Sequence, residues 1–114
     1  MRVLVLAAVI AGFAAPAFAA TDPSFASCSG CHSLEAGKQG VGPSLAGVVG
    51  RKKASVVGYA YSPALKAKGG VWTVAELDAY LADPLKALPG TKMPIGQTDP
   101  AKRAAVIALM KASK

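Results

Sequence analysis

The 114-residue chain is poor in the side chains from which small metal sites are built. It has one histidine and two cysteines, and all three lie in one pentapeptide, Cys28-Ser29-Gly30-Cys31-His32. A structural zinc site takes four nitrogen or sulfur ligands, usually as two close pairs. No second pair follows in the sequence, which argues against zinc, and a single histidine excludes a bis-histidine centre.

Acidic residues are also scarce. Six Asp and Glu face thirteen Lys and Arg, so the formal net charge is +7. The basic residues are spread along the chain and form no tract of the kind that binds nucleic acid. The charge pattern therefore indicates a dispersed positive field, suited to attracting an acidic protein. We expect no nucleic-acid partner.

The N-terminal segment has the pattern of a secretory signal peptide. A short positive start is followed by an apolar run and by Ala17-Phe18-Ala19, which resembles the cleavage motif. The alternative is an uncleaved membrane anchor, but a span needs about 17–25 apolar residues and this run is shorter. The sequence predicts a signal peptide over residues 1–19 and a mature domain over residues 20–114, exported to the periplasm.

No strand pattern of useful length appears, and the helix signals are short. Ser62-Pro63 predicts a helix over 64–68 that Gly69-Gly70 ends. Thr73 with Glu76 forms a capping box for a helix running to about residue 82, and Asp99-Pro100 starts the last helix.

Long stretches between these helices are rich in glycine and proline, notably 33–58 and 88–97. Such loops in a small domain require an explanation, and a large buried ligand would provide one. The sequence therefore predicts an all-α fold of short helices and long ordered loops.

The Cys-x-x-Cys-His pentapeptide has three possible roles. Thiol–disulfide exchange would require a thioredoxin-like βαβ pattern, which is missing. A structural disulfide between Cys28 and Cys31 would explain neither the adjoining histidine nor the loops, and it would close little chain entropy. Covalent haem attachment fits best, because residues i and i+3 of a helical turn share one face and His32 follows directly.

The iron then needs a sixth ligand. Met110 lies among the apolar positions of the last helix and is predicted to be a core residue. Met93 lies in a proline-bracketed loop about sixty residues after His32 and is the favoured ligand, with Lys92 as the runner-up. With both axial positions filled, the iron would exchange single electrons and would not act on a substrate, so we expect no enzyme activity.

Several motifs resemble those of the small class I cytochromes c, the mitochondrial and alphaproteobacterial type. "CSGCH" resembles their haem-attachment site and "VGPSLAGVVGRK" their G-P-N-L-x-G-x-x-G-R stretch. "GYAYSPALKAKGGVW" and "LDAYLADPLKALPGTKM" resemble two further segments of the family, the second almost position for position. The resemblance implies the cytochrome c fold, with three to five short helices and long loops wrapped around one covalently attached haem c.

The resemblance also implies roles for individual residues. Cys28 and Cys31 would carry the thioether bonds, and His32 and Met93 would be the axial ligands. The Pro43 carbonyl would accept a hydrogen bond from the His32 ring. Four residues would contact the haem propionates, namely Arg51, Tyr61, Trp72 and Thr91. The Tyr80 hydroxyl would form a hydrogen bond near the Met93 sulfur.

The implied function is that of a periplasmic, monomeric one-electron carrier. Its donor would be a quinol–cytochrome c reductase, and its acceptor a terminal oxidase, a photosynthetic reaction centre or a peroxidase. Lysines around the haem edge would guide docking, namely Lys38, Lys86, Lys92 and also Lys66 and Lys68. Two alternatives stay open at this point: an enzyme or sensor with a five-coordinate haem, and a haem domain that is a fixed subunit of one enzyme.

Overall fold

A computed structural model describes Gly12 and residues 23–114 of the chain. The predicted signal peptide, Gly12 excepted, and its cleavage position before Ala20 lie outside the described residues. After a 3-10 turn over Pro23–Phe25, the helices are α1 (Pro63–Lys68), α2 (Val74–Ala82), α3 (Pro84–Ala87) and α4 (Pro100–Ala112). In this part of the chain the only β pairing is an isolated bridge between Lys52 and Val71, which confirms the all-α prediction.

Helices α1 and α2 begin where their capping residues predict. The Ser62 hydroxyl accepts a hydrogen bond from the Leu65 N–H (3.1 Å), and the Thr73 hydroxyl accepts one from the Glu76 N–H (3.1 Å). Each bond satisfies an amide that has no partner inside its helix. Helix α1 ends at Gly69, whose φ of 67° lies in the region that favours glycine.

Helix α3 is a difference from the sequence prediction, which gives no helix between about residue 82 and Asp99. Asp83 does end α2, but its carboxylate also accepts a hydrogen bond from the Lys86 N–H (3.2 Å) and so caps a second helix. Pro84 at the first position suits a helix start, since no partner for its missing N–H is needed there. One Asp-Pro pair thus ends one helix and begins the next.

Helix α4 packs against α2 and against the 3-10 turn. Its Val106, Ile107 and Met110 are buried, which confirms Met110 as a core residue. Arg103 of α4 donates to Asp78 of α2 (2.8 Å), and its side chain is largely buried. The core that these elements enclose consists of eight buried side chains: Phe25, Leu34, Val48, Trp72, Leu77, Val106, Ile107 and Met110.

The long loop between Val48 and α2 folds back on itself. Gly50 N–H donates to the Trp72 carbonyl (2.7 Å), Trp72 N–H to the Arg51 carbonyl (2.9 Å), and Lys53 N–H to Gly70 (2.9 Å). These bonds fix residues 50–53 beside 70–72, and so place Arg51 and Lys53 next to Trp72. The residues between these two paired segments, including α1, form one long loop that begins and ends at the pairing.

Candidate haem-binding site

The Cys-x-x-Cys-His pentapeptide forms consecutive turns directly after the 3-10 segment. The N–H groups of Cys31 and His32 both donate to the Cys28 carbonyl, at 3.1 and 2.9 Å. Ser29 N–H donates to Phe25, whose side chain is 1% exposed and anchors the turn in the core. Cys28 is half-buried and Cys31 exposed, and no disulfide joins them. This helical winding brings the two thiols to one side of the turn.

His32 is oriented by the loop that follows it. Its Nδ1 lies 2.8 Å from the Pro43 carbonyl oxygen. Because a carbonyl can only accept, Nδ1 is the donor in this bond, which leaves Nε2 as the nitrogen that can ligate a metal. A neutral histidine with its second nitrogen so fixed is the usual state of a metal-ligating imidazole.

Gly42 lies against the face of the His32 ring. A Cβ at this position would overlap the ring, with the Nδ1 atom 2.6 Å away, so a glycine is required for the observed approach. The Gly42 N–H also donates to the Cys31 carbonyl (2.8 Å), which closes the loop onto the pentapeptide. The sequence predicts no role for Gly42, although it is the first glycine of the stretch that resembles G-P-N-L-x-G-x-x-G-R.

Met93 is half-buried in the loop over residues 88–97. Its N–H donates to the Thr91 hydroxyl (3.3 Å), and that hydroxyl shares a hydrogen bond of 2.6 Å with the Tyr80 hydroxyl. Tyr80 therefore reaches Met93 through Thr91 in this structure. Burial raises the pKa of Tyr80, so its hydroxyl stays protonated at neutral pH.

Arg51 provides the clearest test of whether this site fits a haem. Its guanidinium donates to the carbonyls of Ser44 (2.8 Å) and Ala46 (3.0 Å). Its Nε is buried and has no partner among the described residues. Burial lowers the pKa of this guanidinium, and a nearby anion would offset that desolvation. A carboxylate such as a haem propionate fits this orphaned donor.

Tyr61 and Trp72, which with Arg51 were predicted to bind a haem propionate, are both buried. The Tyr61 hydroxyl accepts from the Val56 N–H (3.0 Å), and the Trp72 ring packs 5.2 Å from the Tyr80 ring. Trp72 and Tyr80 also line a cavity of about 120 Å³ together with Leu65 and Leu88. The structure thus brings Trp72 and Tyr80 to one cavity, which charged side chains also line. The Tyr61 hydroxyl already has a backbone partner.

Known proteins resemble this chain in sequence and in fold. The family model described as Cytochrome c matches residues 19–114. The chain belongs to the cytochrome c family. Curated relatives in this family include cytochrome c2 iso-2 of Magnetospirillum fulvum, 50% identical over 90 residues, which are 78% of this chain and 94% of the relative. Cytochrome c2 iso-1 of Magnetospirillum molischianum is 48% identical over 98 residues, 83% of this chain and 98% of the relative.

A solved structure extends the likeness to the fold. Cytochrome cH from Methylobacterium extorquens superposes with a TM-score of 0.75 at 48% identity, covering 84% of this chain and 98% of that one. The chain is therefore a class I c-type cytochrome of the alphaproteobacterial type. One haem c is attached covalently through Cys28 and Cys31, and the protein is a monohaem electron carrier.

Two further observations concern the described residues only. No group of three or more His, Cys, Asp and Glu side chains that could hold a metal ion occurs among them. None of their helices is long and apolar enough to cross a membrane.

One residue departs from its expected place. Lys53 was counted with the dispersed surface charges, but it is 6% exposed and lies inside the fold. No sequence signal indicated this burial, because its partners Trp72 and Glu76 are distant in the chain.

Proposed function

We propose that His32 and Met93 are the axial ligands of the haem iron and that the protein carries single electrons in the periplasm. The observation that supports this best is the bond between His32 Nδ1 and Pro43, which leaves Nε2 free for iron. Met93 is the half-buried thioether of an ordered loop, whereas Met110 is 3% exposed within the apolar core. Lys92 is disfavoured, because its ammonium donates to the Ala60 carbonyl (3.1 Å).

The bound haem supplies an iron that changes between the ferric and ferrous states. Around it, this chain provides a neutral imidazole and a thioether, and a thioether ligand favours the ferrous state. With both axial positions filled by protein, no position is left for oxygen or a substrate. The five-coordinate enzyme or sensor would require Met93 to be unbound.

Spectra of ferric wild type and of Met93→Ala test this ligation. Wild type should show the weak far-red band of a thioether–iron bond at neutral pH, and Met93→Ala should lose it. Met110→Leu is the matched control and should keep the band, because Met110 is a core residue. Absence of the band in wild type, or its loss in Met110→Leu alone, would rule out Met93 as the ligand.

We also propose partners and a docking surface. A quinol–cytochrome c reductase would reduce the protein, and a terminal oxidase, a photosynthetic reaction centre or a peroxidase would oxidise it. Lys38, Lys86 and Lys92 are exposed, as are Lys66 and Lys68. Lys38 also lies 3.5 Å from Glu35, an exposed pair that contributes little.

Electron transfer to a purified oxidase tests the mobile-carrier role. The second-order rate should fall steeply with ionic strength, because long-range attraction between exposed charges is screened. Co-purification with one enzyme in fixed stoichiometry would instead identify a fixed subunit.

We also propose that the protein is exported through a signal peptide that is then cleaved. The apolar run and the Ala17-Phe18-Ala19 motif support cleavage before Ala20, which lowers the formal charge from +7 to +6 by removing Arg2. N-terminal sequencing of the protein from a periplasmic fraction should begin at Ala20. A haem-loaded protein that begins at Met1 in the membrane fraction would contradict cleavage.

A further inference from the structure

Lys53 is a buried cation that the ligand set does not use. Only 4% of its side chain is exposed, whereas lysine is almost never fully buried unless it is paired. Its Nζ lies 3.0 Å from a Glu76 carboxylate oxygen and 5.2 Å from the centroid of the Trp72 ring. The ammonium is therefore held between a carboxylate and an aromatic face, at a distance typical of a cation–π contact.

The backbone places Lys53 there and turns its neighbour outward. Lys53 N–H donates to Gly70 (2.9 Å), while Lys52 forms the adjacent bridge with Val71 and is exposed. Successive side chains in such paired backbone point to opposite faces. The chain thus carries two consecutive lysines of equal charge, one buried and one in solvent.

The two members of the Lys53–Glu76 pair are hydrated very differently. The Glu76 side chain is 44% exposed, so water screens its charge, whereas the ammonium is dry. Lys53 lines the cavity that contains Trp72, Tyr80 and Leu65, and Glu76 and Lys68 line it as well. The pair is neutral in sum, but water screens the carboxylate more than the ammonium, so the positive charge of Lys53 is the less screened of the two.

We propose that Lys53 raises the reduction potential of the haem through this dry charge. Ferrous haem carries one positive charge fewer than ferric haem, so a nearby unscreened cation favours the ferrous form. Glu76 counters part of that field and holds Lys53 over Trp72. This inference rests on the proposed one-electron carrier function and adds to it a residue that sets the potential.

The test compares midpoint potentials of the haem-loaded protein by spectroelectrochemical titration at neutral pH. In Lys53→Met the ratio of ferrous to ferric protein at a fixed applied potential should fall about threefold, the order expected for one poorly screened charge. That ratio corresponds to a potential lower by about 30 mV for a one-electron couple. Lys52→Met removes the same charge from the solvent-exposed neighbour and should change the ratio by less than half as much.

Glu76→Gln provides the variant of opposite sign. It removes the screened carboxylate and leaves the ammonium, so the potential should rise while Lys53→Met lowers it. The comparison of Glu76→Gln with wild type remains informative if Lys53→Met fails to load haem. Thermal unfolding of each variant is recorded alongside, because a residue that only packs would change the unfolding temperature and leave the potential unchanged.

Equal shifts in Lys53→Met and Lys52→Met, or an unchanged potential in Lys53→Met and Glu76→Gln, would overturn the inference. The comparison needs only a haem that cycles reversibly, whichever residue is its sixth ligand. A missing far-red band in wild type would therefore contradict Met93 ligation without affecting this result.

Discussion

The loops that carry the two proposed axial ligands are built differently. On the histidine side, the ring of His32 donates to Pro43 (2.8 Å), Gly42 packs against that ring, and Gly42 N–H donates to Cys31 (2.8 Å). Ser44 strengthens the same loop by donating to the Glu35 carbonyl (2.6 Å). The ligand itself is part of this network of short bonds.

On the methionine side, the contacts are with the backbone around the ligand. Met93 N–H donates to the Thr91 hydroxyl at 3.3 Å, and Tyr80 holds that hydroxyl. Ile95, two residues on, is 76% exposed, and the loop is next fixed where Gln97 N–H donates to Leu81 (2.7 Å). Few buried contacts and exposed side chains mark segments that open at low free-energy cost. We therefore expect the loop that carries Met93 (the methionine loop) to open at a lower free-energy cost than the loop that carries His32 (the histidine loop).

The largest effect should come from Gly42→Ala on the histidine side. The added Cβ would overlap the His32 ring, and overpacking of this kind costs about 2–3 kcal/mol. Denaturant unfolding of the haem-loaded protein measures the loss. Gly30→Ala is the control, because nothing lies within 4 Å of its added Cβ, and it should change stability by about 0.5 kcal/mol or less. Equal losses in both variants would show that the His32–Gly42 contact is unimportant.

A smaller effect is expected from Thr91→Val on the methionine side. It removes the partner of Tyr80 and the acceptor for Met93 N–H, a loss of about 1–2 kcal/mol. The far-red band should then disappear at a lower denaturant concentration than in wild type, while the main haem absorption changes later. Thr98→Val, at an exposed position directly after this loop, should leave both transitions in place. If the far-red band and the main haem absorption of Thr91→Val were lost at the same denaturant concentration, the methionine loop would not open separately from the rest of the fold.

The smallest expected effect is on the pH dependence of stability in Glu76→Gln, because Glu76 lies on neither ligand loop. The hydrogen bond from Lys53 is the main cause of its lowered pKa, and the charge of Lys68 contributes in the same direction. Because the folded pKa is below the ordinary value of 4.5, the stabilisation is complete above pH 4.5 and is lost as the pH falls through the folded pKa. Thermal melts of wild type and Glu76→Gln should differ at pH 6 and converge as the pH falls from 4.5 through the folded pKa. A constant difference across this range would exclude linkage through Glu76.

Local signals predicted more of this molecule than long-range ones. The starts of α1, α2 and α4 followed from Ser62, Thr73 and Asp99, since a capping side chain acts on amides two or three residues away. Helix α3 was missed because a single Asp-Pro pair can end one helix and begin the next, and the sequence does not distinguish these roles.

The same division applies to the site. The pentapeptide carries its chemistry in five adjacent residues, and the position of Met93 between prolines indicated a ligand loop. The contact of Gly42 with His32 and the burial of Lys53 depend on how distant segments pack. A lysine in sequence looks like a surface charge, and only the pairing of residues 50–53 with 70–72 places this one beside Trp72.

The central claim is that protein side chains fill both axial positions of the iron. Adding carbon monoxide to the reduced, haem-loaded protein at neutral pH tests it most directly, because this ligand needs an open or easily vacated position on ferrous iron. We predict an unchanged absorption spectrum for wild type and prompt formation of the carbon monoxide complex in Met93→Ala. Prompt complex formation in wild type would contradict the claim and would favour the five-coordinate enzyme or sensor.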